Sequence, residues 1–170
     1  MPLRKSLRGV YPKHNIMRRF LSILSFVVIS FVVGYLSKVI QEPSMQEWYP
    51  SLVKSSLNPP GVVFAIVWPV LYLLMGISAG IVWNVRSIYT WLAIFLFFVQ
   101  LGLNMIWSVA FFGMQAPVIA LVVLTLLFVT VVLYMAVAYM QSHAAAYMNI
   151  PYALWLLFAL YLNAYVVLSN

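Results

Sequence analysis

A chain of 170 residues is long enough for one domain, but its 66% hydrophobic and only 6% charged residues set it far from the roughly 25% charged of a soluble domain. A mean hydropathy of +1.05 makes lipid its main solvent, and the absence of cysteine excludes a disulfide framework, a thiolate nucleophile and a cysteine-bound metal. The net charge of +7 points to a membrane flank and not to nucleic acid, because six of the nine basic residues, Arg4, Lys5, Arg8, Lys13, Arg18 and Arg19, stand in the first nineteen positions.

After this basic tail at 1–19, apolar runs near the roughly 20 residues that cross a bilayer cover 20–40, 60–83, 88–112, 116–141 and 150–168. Each is predicted to be a helix, since a lone strand cannot satisfy its backbone in hydrocarbon. Residues 20–170 therefore read as an all-α bundle of five transmembrane helices, an integral multi-pass membrane protein. The first run has the basic flank of a secretion leader, but it is longer than the usual apolar core of about 7–15 residues and no A-x-A-like site follows, so it reads as a span.

The link 41–59 is the one long loop and holds both acidic residues, Glu42 and Glu47. Asn58 is the expected N-cap of the second helix, with Pro59 at its first position. The N–H groups of Gly61, Val62 and Val63 then face the loop and, with Lys54 just upstream, offer a place for a carboxylate. Along this helix Phe64, Trp68, Tyr72, Met75 and Ala79 share one face. Pro69 is expected to kink or loosen it beside Trp68. Gly76 and Gly80 form a GxxxG pair suited either to close packing within the chain or to a dimer seam.

Short turns at 84–87 and 113–115 make consecutive helices antiparallel neighbours. The third helix aligns Gln100, Asn104, Trp107 and Phe111. The fifth aligns Pro151, Trp155, Ala159, Leu162 and Val166, with Tyr152, Phe158 and Asn163 on the flank. The six basic residues of the tail and Arg86 fall on one side, Lys38 and Lys54 on the other. The tail is therefore expected in the cytoplasm and the C-terminus opposite.

Aspartate is absent, and both glutamates and both histidines, His14 and His143, lie outside the predicted spans. Neither a carboxylate dyad, a Ser-His-Asp arrangement nor an intramembrane metal cluster can be assembled, and no histidine or cysteine stands at depth as an axial haem ligand. No catalytic residue is assigned. The aromatic faces have two readings: they enclose an apolar cavity with a few amides, or they pack the bundle, with Trp and Tyr as interfacial belts. Gln100 and Asn104 divide in the same way between a pocket and helix-to-helix hydrogen bonds.

The run Trp48-Tyr49-x-x-Leu52-x-Lys54, followed by Asn58-Pro59-Pro60-x-x-x-Phe64-x-x-x-Trp68-x-x-x-Tyr72-x-x-Met75-Gly76, resembles the signature of the translocator protein family (TspO/MBR, tryptophan-rich sensory proteins, peripheral benzodiazepine receptors). Gln100-Leu101-x-Leu103-Asn104-x-x-Trp107-Ser108-x-x-Phe111-Phe112-Gly113 and Pro151-Tyr152-x-x-Trp155-x-x-Phe158-Ala159-x-x-Leu162-Asn163 are similar to its third- and fifth-helix motifs.

The resemblance implies a five-helix bundle, usually a homodimer, with a pocket under the first loop. Family ligands include porphyrins such as protoporphyrin IX, haem, sterols in some members, and synthetic benzodiazepine or isoquinoline compounds. Carried over by position, Trp68 and Trp155 match paired pocket tryptophans and Ala159 a small residue on the fifth helix. Phe64, Asn104 and Trp107 match lining positions, Trp48 and Tyr49 the covering loop. Lys54 is kept, but Ser55 replaces the family's proline after it. No basic residue follows Tyr165, which argues against animal-type sterol handling and toward a tetrapyrrole. Four functions follow: a tetrapyrrole-binding sensor, regulator or transporter that needs no cofactor; a light- and oxygen-dependent porphyrin-degrading enzyme using Trp68 or Trp155; a sterol- or lipid-binding translocator; and a structural membrane subunit.

Overall fold

The computed structural model describes residues 13–170, with side chains from Ile16 onward. Arg4, Lys5 and Arg8 of the basic tail lie outside the described residues. The elements in order are α1 (Lys13–Gln46), the short α2 (Trp48–Ser51), α3 (Gly61–Val85), α4 (Thr90–Ser108) running directly into a π-helical turn (Val109–Gly113), α5 (Pro117–Tyr139), the short α6 (His143–Tyr147) and α7 (Ile150–Ser169). Among the described residues there is no strand. Among the same residues five helical segments are long and apolar enough to cross a membrane: Ile16–Gln46, Gly61–Val85, Thr90–Gly113, Pro117–Tyr139 and His143–Ser169.

The first helix begins at Lys13, ahead of the expected start at residue 20, so Arg18 and Arg19 of the basic tail stand on it, and two further boundaries differ from the sequence expectation. The first span continues to Gln46, so Glu42 stands on a helix and not in a loop. Side-chain bonds explain the extension: Gln41 Nε2 donates to Ser108 Oγ (3.0 Å) and Ser44 Oγ to the Phe112 carbonyl (2.5 Å), fastening the end of α1 to the end of α4. Pro43 lies in the last turn. The other difference is at α3, which begins at Gly61 with Pro60 as its N-cap, extended at φ −64° and ψ 152°. A residue before proline is driven out of the α region, so Pro59 ahead of Pro60 cannot open the helix. Asn58 instead accepts the Tyr49 hydroxyl (2.9 Å), and the Val63 N–H is taken by the Pro60 carbonyl (2.9 Å).

The core lies between α3, α4, α5 and α7, where Met75, Val82, Phe97, Leu127, Tyr134 and Leu156 are fully buried. α1 packs on α3 almost backbone to backbone. A Cβ on Gly76 would stand 2.5 Å from Val27 Cα, and one on Gly80 2.5 Å from Ile23 Cα. The GxxxG pair is thus occupied inside the chain and is not free to join two copies. α3 continues through Pro69.

Candidate ligand-binding site

The aromatic residues of α3 and α4 form a continuous stack. Trp68 lies against Tyr72 (ring centroids 5.6 Å apart, 29° between planes) and Trp107 (6.5 Å, 28°), and Trp107 lies against Phe111 (5.7 Å, 26°). The π-helical turn matters here. Successive α-helical residues diverge around the axis, but the wider turn lets Ala110, Phe111 and Phe112 all be buried. The sequence reading aligned Phe111 with Trp107 but missed this turn; Val-Ala-Phe-Phe-Gly carries no signal for it.

Amides hold the stack in place. The Tyr72 hydroxyl donates to Asn104 Oδ1 (2.7 Å), and Asn104 Nδ2 donates to the Tyr152 hydroxyl (3.2 Å). Trp107 Nε1 donates to Asn163 Oδ1 (3.2 Å), whose Nδ2 donates to the Pro117 carbonyl (2.9 Å). Gln100 is fully buried with neither amide atom partnered, and the buried Nε1 of Trp155 also lacks a partner.

Two cavities adjoin this framework. The larger, about 560 Å³, opens between α1 and α3, with Gly34, Ser37, Lys38, Gln41 and Glu42 among its α1 residues and Phe64, Ala65, Trp68, Pro69 and Tyr72 on α3; Asn104 also lines it. Its shape follows from side-chain size. Below it the backbones of α1 and α3 meet at Gly76 and Gly80. Above, the small Ala65 and the ring of Pro69 leave the helices apart, and the Tyr72 ring occupies the place a side chain at Gly34 would fill. The smaller cavity, about 60 Å³, lies under the loop and is lined by Tyr49, Lys54, Phe64, Trp107, Ala159 and Asn163 among others.

The nine sequence-selected residues therefore divide. Phe64, Trp68 and Asn104 line the larger cavity. Tyr49, Lys54, Trp107 and Ala159 line the smaller, which Phe64 also borders. Trp48 packs edge-on against Phe111 (5.4 Å), and Trp155 against Phe64 (5.6 Å); neither is among the lining residues of the two cavities. Lys54 is engaged by the loop itself, its Nζ donating to the carbonyls of Tyr49 (2.7 Å), Pro50 (3.2 Å) and Leu52 (3.2 Å) and lying 4.8 Å above the Tyr49 ring. Burial pushes the Tyr49 phenol above its ordinary value, opposed by its bond to Asn58, so at neutral pH it remains a donor. The loop is latched to α7: Asn170 Oδ1 accepts from the Val53 N–H (2.9 Å), its Nδ2 donates to the Val53 carbonyl (3.1 Å), and Ser55 pairs with Tyr161 (2.8 Å).

The sequence reading missed the α1 wall. Ser37, Lys38, Gln41 and Glu42 share a helical face only if the helix runs past residue 40, and the signal was their three- and four-residue spacing from Gly34.

The TspO/MBR family model matches residues 26–168. This chain belongs to the TspO/MBR family. Among TspO/MBR proteins it is 35% identical to the tryptophan-rich protein TspO of Archaeoglobus fulgidus, over 92% of this chain and 99% of that one. It is 31% identical to the translocator protein of Sus scrofa, over 89% of this chain and 91% of that one. It is 33% identical to the tryptophan-rich sensory protein of Cereibacter sphaeroides, over 69% of this chain and 73% of that one. Its membership and its five apolar helices make it an integral multi-pass membrane protein.

Proposed function

We propose that this TspO/MBR protein binds a tetrapyrrole, protoporphyrin IX or haem, as a membrane sensor, regulator or carrier, and that the macrocycle lies in the α1–α3 cavity. The observation that carries the reading is a space of about 560 Å³ walled by Phe64, Trp68 and Tyr72 and edged by Lys38. That volume is in the range of small-molecule sites, roughly 300–1,000 Å³, whereas about 60 Å³ under the loop is too small for a macrocycle unless the latched loop opens. A planar apolar ring suits the aromatic wall, and its carboxylates suit an ammonium at the rim. The names sensory protein and translocator protein borne by relatives agree with a binding role.

One observation favours a second reading, a light- and oxygen-dependent porphyrin-degrading enzyme. Trp68 lines the cavity and stacks on both Tyr72 and Trp107, so an electron taken from it by an excited porphyrin has neighbours to replace it. The test is a titration of the purified protein with protoporphyrin IX, following tryptophan fluorescence in the dark and porphyrin absorbance under light. Saturable quenching is expected, weakened roughly tenfold in Trp68→Ala through loss of stacking and contact area. A strong effect of Ala159→Leu instead would move the ligand under the loop. Quenching that never saturates and is equal in all variants means that porphyrin dissolves in the micelle, and the reading fails. Loss of porphyrin that needs light and oxygen would select the enzyme.

A further inference from the structure

Glu42 has no use in the tetrapyrrole reading, since a second carboxylate at the rim repels the propionates that Lys38 would attract. Both side chains line the α1–α3 cavity and, four residues apart on one helix, have Cβ atoms about 5–6 Å apart. The cavity rim therefore offers a cation and an anion side by side. Their depth is set by the helix. From Arg19 to Lys38, α1 rises about 28 Å at ~1.5 Å per residue, close to the ~30 Å of a bilayer's hydrocarbon. With Arg18 and Arg19 in one headgroup layer, Lys38 and Glu42 stand in the other. Phe31 lies about 10 Å deeper along the same wall, and Tyr35 at the rim is 67% exposed, so the slot opens sideways toward lipid.

Ser37 lies on the same wall beside the Tyr72 phenol, and at 2% exposed its hydroxyl is closed off from the open space by its neighbours.

We infer that the α1–α3 cavity is a site for a zwitterionic phospholipid with a primary-ammonium headgroup. The phosphate pairs with Lys38, the ammonium donates to Glu42, and one acyl chain follows Phe31 and Trp68 into the hydrocarbon. This site does not depend on tetrapyrrole binding; a macrocycle entering the same cavity would displace the lipid.

The full-length protein, extracted in mild detergent, would be equilibrated with equal amounts of phosphatidylethanolamine, phosphatidylcholine and phosphatidylglycerol of identical acyl chains, and retained lipid counted by native mass spectrometry. The ethanolamine lipid is expected to exceed the other two by roughly tenfold or more, the size of one charge-assisted hydrogen bond. Glu42→Gln should bring it near parity with the choline lipid, and Ala65→Phe, which fills the slot from an exposed position, should lower retention of all three. Equal retention of the three lipids, a first rank for the glycerol lipid, or a preference untouched by Glu42→Gln overturns the inference. Should Ala65→Phe not fold, Glu42→Gln at its exposed position decides alone. Porphyrin titration of the same samples separates the two proposals, because a lipid preference without porphyrin binding leaves this one standing.

Discussion

At the scale of single residues, amides carry much of the specificity in a core that is otherwise apolar. Asn104 joins the hydroxyls of Tyr72 and Tyr152 from two other helices, so it fixes the orientation of the ring on which Trp68 stacks. Asn104→Leu keeps the volume but leaves both hydroxyls without this partner. We expect a loss of about 1–2 kcal/mol, given the modest worth of hydrogen bonds inside membranes, read as a lowered Tm of the detergent-solubilised protein. Porphyrin affinity should fall with it, since Tyr72 forms part of the cavity wall. The residue types of this site were legible from spacing alone, but their partners were not. Asn104, for example, had both a pocket and a helix-contact reading, and in the structure it lines the larger cavity while bonding two other helices.

At the scale of elements, the seam between α1 and α3 shows how glycine position shapes a site. At its tight end Gly80 meets the backbone of Ile23, and a Cβ there would stand 2.5 Å from Ile23 Cα, an approach that no rotamer change relieves. Gly80→Leu should therefore push α1 away and cost about 1–3 kcal/mol or more, as overpacking does. Gly102, on α4, has open space where its Cβ would be. Gly102→Ala should raise Tm, since alanine is better than glycine in a helix interior by about 1 kcal/mol. Thermal unfolding of the two variants side by side checks both, and equal effects would mean that the α1–α3 contact is looser than described. The GxxxG pattern announced close packing but could not name the partner helix. Nor could the π-helical turn at Val109–Gly113 be read from sequence, and neither could the bonds of Gln41 to Ser108 and of Ser44 to the Phe112 carbonyl that tie α1 to this end of α4.

At the scale of the whole molecule, the five membrane-length helices of the described residues place the start of α1 and the end of α7 on opposite sides. With the tail in the cytoplasm, as the distribution of basic residues suggests, Ile88 before α4 is cytoplasmic and Leu168 near the end of α7 is external; both are 86% exposed. The chain has no cysteine, so Ile88→Cys and Leu168→Cys report without background. A membrane-impermeant maleimide applied to intact cells should label Leu168→Cys at once and Ile88→Cys only after lysis, and the reverse pattern would invert the orientation. The sequence by itself determined the number of spans, the family and the residues of the aromatic faces, because hydrophobic length and helical period are local properties of the chain. Only the tertiary structure decided where the space lies. A cavity is what remains after distant side chains have packed, and here the glycines of α3, the ring of Tyr72 and the extended end of α1 place the larger volume beside Lys38 and Glu42, leaving little of it under the loop.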